Sequence, residues 1–283
     1  TLGILIPPSI NLLIYGFITE TSVPQLYIAA LIPAAILCLL FFATIAIACA
    51  AKPEWGGVRQ RFSWDERIAS LPHLVPPLLL FLLVVGSIYA GWATPTESAA
   101  LGVIGALLLA AANRALSLEI IKHAVENTMR ITGMAMLIVL AAFFLGFVIS
   151  ILGINRDLLS FVQGLNLSPM QIMICIVLFY LVLGCFLDPL AMMVTTLPIT
   201  APLAASLGFD LIWFGILIVV LCETALITPP FGVNLFVVQT VRKSGPLADV
   251  IIGALPFVIT LLTLLAILLA WPSLALWLPA QFR

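Results

Sequence analysis

Leu226-Ile227-Thr228-Pro229-Pro230 stands in the middle of an apolar segment running from Leu211 to Val241, and the same pattern occurs at Ile4-Leu5-Ile6-Pro7-Pro8. Pro7 and Pro229 lie 222 positions apart. The downstream spacing recurs as well: sixteen positions separate Pro8 from Pro24 and Pro230 from Pro246, and a further proline follows at Pro33 and at Pro256. Asn11 and Asn234 correspond once one residue is inserted. Proline has no backbone N–H and clashes with the preceding turn, so two in succession unwind a helix instead of merely bending it. Each copy is therefore expected to be two half-helices joined by a loop.

The medium follows from composition. Of 283 residues, 64% are hydrophobic and 8% charged, against roughly 45–50% and about 25% in soluble domains, which excludes a soluble protein. Eleven Lys and Arg against twelve Asp and Glu leave a net charge of −1, and the scattered basic residues form no patch for a nucleic-acid backbone. The five cysteines at 38, 49, 175, 185 and 222 have no CxxC or Cys/His spacing, so they read as packing residues. The chain opens at Thr1 with no charged leader, which reads as a fragment and not as a signal peptide.

A helix needs about 20 apolar residues to cross the hydrocarbon core. Leu26 to Ala51, Thr128 to Leu152 and Val250 to Trp271 qualify, and Pro76 to Gly91 and Ala99 to Ala112 give two shorter crossings around a polar break at 93–98. Ser117 to Asn127 sorts into one apolar and one polar face, as expected of a separate helix lying in the interface. Pro169 to Ser206 reads as a re-entrant hairpin. Its arms, Met170 to Leu183 and Leu190 to Ala205, are separated by Gly184-Cys185-Phe186-Leu187-Asp188-Pro189. With that hairpin, Lys52, Arg59, Arg61, Arg67, Arg114, Lys122, Arg130, Arg242 and Lys243 fall on the cytoplasmic side, leaving Arg156 and Arg283 outside.

In this topology the first proline copy runs outward and the second inward, which makes an inverted repeat of the kind found in secondary transporters. Such carriers hold both halves whole, so a parent chain of about 430 residues is expected. Unwound backbone is tolerated at membrane depth only where protein buries it or water reaches it. Carbonyls at Leu5 and Ile6, or Ile227 and Thr228, are expected to be free and to suit a small cation. N–H groups near Ser9, or Phe231 and Gly232, are expected to be free and to suit a carboxylate.

Acidic residues inside a membrane are costly and usually functional. Asp188 at the hairpin tip is the leading candidate to neutralise a cation held near Thr228, and it also has the form of an N-cap before Pro189. Glu223 stands either near the same cation or as a hydrogen-bonding brace. Glu97 reads as the cap of a helix opening at Ser98. Thr195, Thr196, Thr200 and Ser206 read as donors to helix carbonyls, and His73 and His123 as interfacial residues. No His-Glu-x-x-His and no facing carboxylate pair is present, which argues against an intramembrane protease.

Gly3-Ile4-Leu5-Ile6-Pro7-Pro8-Ser9-Ile10, Ala93-Thr94-Pro95-Thr96-Glu97, Phe186-Leu187-Asp188-Pro189 and Leu226-Ile227-Thr228-Pro229-Pro230-Phe231-Gly232-Val233-Asn234 resemble the large membrane subunit of tripartite ATP-independent periplasmic (TRAP) transporters. The resemblance implies an all-α polytopic membrane protein of the inverted-repeat, elevator type, similar to the ion transporter superfamily, with a re-entrant helical hairpin and discontinuous helices. It implies sodium-coupled uptake of organic acids of the C4-dicarboxylate or sialic acid type. A small membrane subunit and a periplasmic solute-binding protein would be partners, in the bacterial inner membrane. By position it assigns Pro7, Pro8 and Ser9 to a first ion site and Asp188, Thr228, Pro229, Pro230 and Gly232 to a second, with sodium near Asp188 and Thr228.

Asn11, Gly184, Glu223 and Asn234 complete the candidate ion- and solute-binding set. Five regions follow from the same pattern: 1–17, the end of the first discontinuous helix, in the transport domain; 18–75, a scaffold or arm helix and the cytoplasmic loop; 76–168, membrane helices and the interfacial arm; 169–241, the hairpin and second discontinuous helix, in the transport domain; and 242–283, a C-terminal arm or scaffold helix. The alternatives are a channel and a stand-alone sodium-coupled dicarboxylate or other inverted-repeat anion carrier.

Overall fold

The computed structural model describes residues 2–56, 63–230, 232–242 and 245–281, without the side chain at 163; Arg59, Arg61, Phe231, Lys243 and Arg283 lie outside the described residues. Among those described, helices are the only regular elements. Six helical stretches are long and apolar enough to cross a membrane: Val23–Ala51, Trp64–Tyr89, Pro95–Ala112, Leu118–Ile151, Pro189–Ser206 and Leu247–Ala270. The chain is an all-α, multi-pass membrane protein.

In chain order the helices are α1 (Ile10–Thr19), α2 (Val23–Ala51), α3 (Trp64–Ser70), α4 (Val75–Tyr89), α5 (Pro95–Ala112), α6 (Leu118–Ile151), α7 (Ile154–Gly164), α8 (Pro169–Gly184), α9 (Pro189–Ser206), α10 (Leu211–Ala225), α11 (Val233–Arg242), α12 (Leu247–Ala270) and α13 (Ser273–Gln281). They fall into two compact units, one of residues 1–44 and 136–283 and one of residues 45–135.

In the first unit, α10 is the core. Every residue from Ile212 to Ala225 is buried, and α1, α8, α9, α12 and α13 pack around it. Fifteen residues of α-helix rise about 22 Å, less than the ~30 Å hydrocarbon thickness, so α10 is too short to cross the bilayer alone. The surrounding helices are pinned to α10 by buried polar groups. Tyr15 donates its hydroxyl to the Leu211 carbonyl at 2.7 Å, and Trp213 Nε1 donates to the Leu268 carbonyl at 3.0 Å. Gly215 lets α1 and α2 come close, because a Cβ there would lie 2.5 Å from the Tyr15 ring and 2.9 Å from Leu26.

The hairpin of α8 and α9 is tied internally. Tyr180, fully buried, shares a hydrogen bond with Thr200 at 2.8 Å and accepts one from Thr196. Thr195, Thr196, Thr200 and Ser206 also donate to carbonyls of their own helix at 2.7 to 3.0 Å, the use the sequence suggested. Pro198 and Pro202 remain inside α9 without ending it.

In the second unit α4 and α5 pack closely. Cβ atoms at Gly102 and Gly105 would meet Val84 at 2.8 Å and Leu80 at 2.7 Å. Ser87 and Ser98 share a hydrogen bond at 2.9 Å, and Ser98 also donates to the Val84 carbonyl, small polar contacts suited to helix pairing in lipid.

Two expectations are corrected here. Ser117 to Asn127 is not a separate interfacial helix: α6 runs unbroken from Leu118 to Ile151, because the change from polar to apolar composition at Thr128 carries no backbone breaker and Gly133 alone does not interrupt a helix. The helix after the polar break opens at Pro95 and not at Ser98. Thr94 is its N-cap, Pro95 its first residue, and Glu97 closes a capping box by accepting the Thr94 N–H at 2.8 Å, an arrangement that proline at the first helical position favours.

A Gly215→Val substitution is expected to destabilise the first unit by about 1–3 kcal/mol through overpacking, seen as a lower thermal unfolding midpoint in detergent. Gly253→Val, with nothing within 4 Å of its added Cβ, is expected to leave that midpoint near wild type.

Candidate functional site

Both Pro-Pro sequences fall in non-helical backbone and both peptide bonds are cis. In the first copy a short helical turn at Leu2–Ile4 precedes the break, and α1 restarts at Ile10 with Ser9 as N-cap. The Ser9 hydroxyl accepts the Leu12 N–H at 3.3 Å and donates to the Ile4 carbonyl. Tyr27 of α2 donates to the Ser9 carbonyl at 3.4 Å. Asn11, one residue into α1, is buried, and its Nδ2 has no acceptor among the described residues.

The second break separates α10 from α11 and folds back on itself. The Gly232 N–H donates to the Thr228 carbonyl at 3.1 Å, and the Asn234 N–H to the Leu226 carbonyl at 3.1 Å. The Thr228 hydroxyl donates to the Thr224 carbonyl at 2.7 Å. The Thr228 carbonyl and the Gly232 N–H, expected to be free, are thus bonded to each other. Glycine favours this closure: a Cβ at Gly232 would lie 3.0 Å from the Leu226 oxygen and 3.1 Å from the Ile227 carbonyl carbon, so a larger residue would crowd the loop backbone.

Against this break rests the hairpin tip. A cavity of about 220 Å³ is lined by Gly184, Leu187, Asp188 and Pro189 on one side and Ala225, Leu226 and Val233 on the other. Gly184 makes the approach possible, since a Cβ there would fall 2.7 Å from the Ala225 Cβ and 3.3 Å from its Cα. Asp188 caps α9, its two carboxylate oxygens lying 3.1 and 3.3 Å from the Ala191 N–H. It is exposed, and a carboxylate bonded to one donor keeps lone pairs for a cation. Beneath it Cys222 is buried, its thiol directed at the Pro189 carbonyl at 3.8 Å. Glu223 is fully buried in α10.

The structure therefore brings Gly184 and Asp188 to the Leu226 end of the second break. Thr228, Pro229, Pro230 and Gly232 belong to that break and Asn234 lies in the first turn of α11, none of them lining the 220 Å³ cavity. The two copies approach each other elsewhere: Leu2 and Gly3 share a cavity of about 400 Å³ with Ile227, Phe41 and Phe257. The roles of Gly184 as a contact surface and of Cys222 beneath the tip were not legible in the sequence, because both depend on which helix the hairpin meets.

A multi-pass helical protein with a helix hairpin seated on an interrupted helix has the layout of a secondary transporter. The sequence profile of the tripartite ATP-independent periplasmic transporter DctM component matches residues 1–274, and the chain belongs to that family. It is 36% identical over 280 residues to the C4-dicarboxylate TRAP transporter large permease protein of Pseudomonas aeruginosa, covering 99% of this chain and 65% of the relative. The ectoine TRAP transporter large permease protein of Halomonas elongata is 32% identical over 98% of this chain and 64% of its own length. The sialic acid TRAP transporter large permease protein of Vibrio cholerae is 28% identical over 99% and 65%. The chain thus spans just under two thirds of the length of these relatives.

Asp188→Ala is expected to lower stability by about 1 kcal/mol through loss of the α9 cap, whereas Asp188→Asn retains capping; thermal unfolding in sodium-free buffer separates the two. Gly184→Val is expected to push the hairpin tip off Ala225, read as faster proteolysis at the tip without loss of the folded protein.

Proposed function

We propose that this chain is the membrane subunit of a sodium-coupled, binding-protein-dependent importer of organic acids, working by an elevator movement in the bacterial inner membrane. The observation that carries the reading is the contact of the Asp188 hairpin tip with the broken α10–α11 helix across a cavity of about 220 Å³. That volume suits a small cation with part of its water shell, and the carboxylate offers the charge a hard cation takes with oxygen ligands. Sodium here is cargo, moved down its gradient together with the solute.

The packing supports movement as one body. Tyr180 ties the two hairpin arms together, α10 is buried on every side, and Tyr15 ties α1 to it. A block built this way can translate with its ion and solute while its internal hydrogen bonds persist. The printed names of the relatives, among them C4-dicarboxylate and sialic acid permeases, support an organic acid as solute and a tripartite assembly with a small membrane subunit and a solute-binding protein. They are transporter subunits and not enzymes.

The test is uptake in proteoliposomes holding the full-length transporter, with candidate binding proteins and each subunit omitted in turn. Uptake should require sodium and the binding protein and should saturate. Asp188→Asn should insert normally and shift half-maximal sodium upward by about tenfold or more, the expected loss of a charge-assisted contact. Unaltered sodium dependence in that variant counts against the reading, and uptake without any binding protein replaces it with a stand-alone carrier.

A further inference from the structure

Between Ala51, the last residue of α2, and Val75, the first of α4, the chain carries two tryptophans in open positions. Trp64 is 75% exposed and Trp55 51%, with Ile68 and Leu71 at 61% and 56%. Trp64 and Ile68 belong to α3 and Leu71 opens the helical turn that extends it. Their spacing, i, i+4 and i+7, puts all three on one face. Asp65 and Glu66, one and two positions after Trp64, face away from it, and Glu66 accepts the Ser63 N–H at 2.7 Å at the start of the helix. A cation stands on each indole ring. Lys52 Nζ lies 4.6 Å from the Trp55 ring centre and the Arg67 guanidinium 4.9 Å from that of Trp64, contacts that hold each charge beside an apolar surface.

Length decides the depth of this face. The helical stretch Trp64–Tyr89 has 26 residues, a rise of about 39 Å, against ~30 Å of hydrocarbon. About six residues therefore extend past the core into the headgroup region, the level at which tryptophan concentrates. Trp92, exposed just beyond Tyr89, marks the opposite boundary. Trp55 stays beside the end of α2, because the turn Pro53–Gly56 folds back on it: a Cβ at Gly56 would lie 3.6 Å from the Cys49 Sγ. The segment is tied at both ends to helices that cross the bilayer.

We propose that residues 52–56 and 63–71 form a docking surface for phospholipid. Trp55, Trp64, Ile68 and Leu71 lie among the glycerol and upper acyl groups of one leaflet, and Lys52 and Arg67 reach the phosphates at the same depth. Lipid fits this face better than a protein partner because the face continues, along the same helical stretch, into exposed Leu78, Leu79 and Leu82 of α4, which the bilayer core covers. The topology read from the basic residues makes the leaflet the cytoplasmic one. Anchored in this way, the connection sets the height of α4 in the membrane, and it does so whatever solute or ion the transporter carries.

The experiment is spin labelling of the full-length transporter, its native cysteines replaced, in nanodiscs of phosphatidylethanolamine and phosphatidylglycerol. Single labels are attached at Ile68→Cys and Leu71→Cys on the apolar face and at Asp65→Cys and Ser70→Cys away from it, all exposed positions. Collision with oxygen, which partitions into lipid, is compared with collision with a neutral nickel chelate, which stays in water. Oxygen is expected to dominate at Ile68 and Leu71, and nickel at Asp65 and Ser70. Two further variants, Trp55→Ala with Trp64→Ala and Lys52→Gln with Arg67→Gln, are first matched to the parent by unfolding midpoint. Each is expected to raise nickel access at the Ile68 label, which substitutions at plain solvent-exposed positions would not do. Nickel access at Ile68 and Leu71 as high as at Asp65 overturns the proposal, since the face then lies in water. Protection of both from oxygen and nickel alike also overturns it and gives the face to a protein partner. Unchanged access at Ile68 in either pair of substitutions overturns the anchoring role.

Discussion

A peptide group that leaves a helix inside hydrocarbon loses its partner and cannot turn to water, at a cost of several kcal/mol. Two adjacent prolines impose that situation at Pro7-Pro8 and again at Pro229-Pro230, and the rest of the first unit answers it. Ser9 serves the first break as both donor and acceptor, and Tyr27 reaches across from α2 to its carbonyl. In the second break the backbone serves itself, Gly232 to Thr228 and Asn234 to Leu226. The hairpin tip arrives at the Ala225–Leu226 end of the second break.

This division gives the site its character. A loop whose carbonyls were all unpaired would be a poor scaffold, able to collapse onto any donor. One closed by its own hydrogen bonds, faced by Asp188 across a small cavity, offers a preformed place for charge. Rigidity continues outward through α10, buried along its length, to Tyr15, Trp213 and the Tyr180 cluster. In the proposed function, an ion at the tip would be coupled through these bonds to a body instead of a loop.

Much of this was visible in the residues. Proline spacing located both breaks, and the hairpin arms emerge at Pro169–Gly184 and Pro189–Ser206, within a residue or so of the reading, because Ser168-Pro169 and Asp188-Pro189 are strong helix-start chemistry. The reading of Asp188 as an N-cap was right, and the geometry leaves its ion-binding role open beside it. What the sequence hid depends on tertiary contact or on continuity. Nothing at Asn127 or Thr128 announces that α6 is one helix of 34 residues. The amphipathic α7 lay in a stretch without a long apolar run. The Thr228 carbonyl looked free because its partner, Gly232, is four residues on and bonds only if the loop closes.

The most direct measurement is chemical access to the second break. In a protein whose native cysteines are replaced, single Leu226→Cys and Leu187→Cys variants, one on each side of the cavity, are exposed to a membrane-impermeant thiol reagent with sodium or with choline. If the interrupted helix lines an aqueous cavity closed by the hairpin tip, both react in choline and sodium slows them. Reaction at neither position, or rates that ignore sodium at both, would mean that the break is an inert kink and that the hairpin covers nothing.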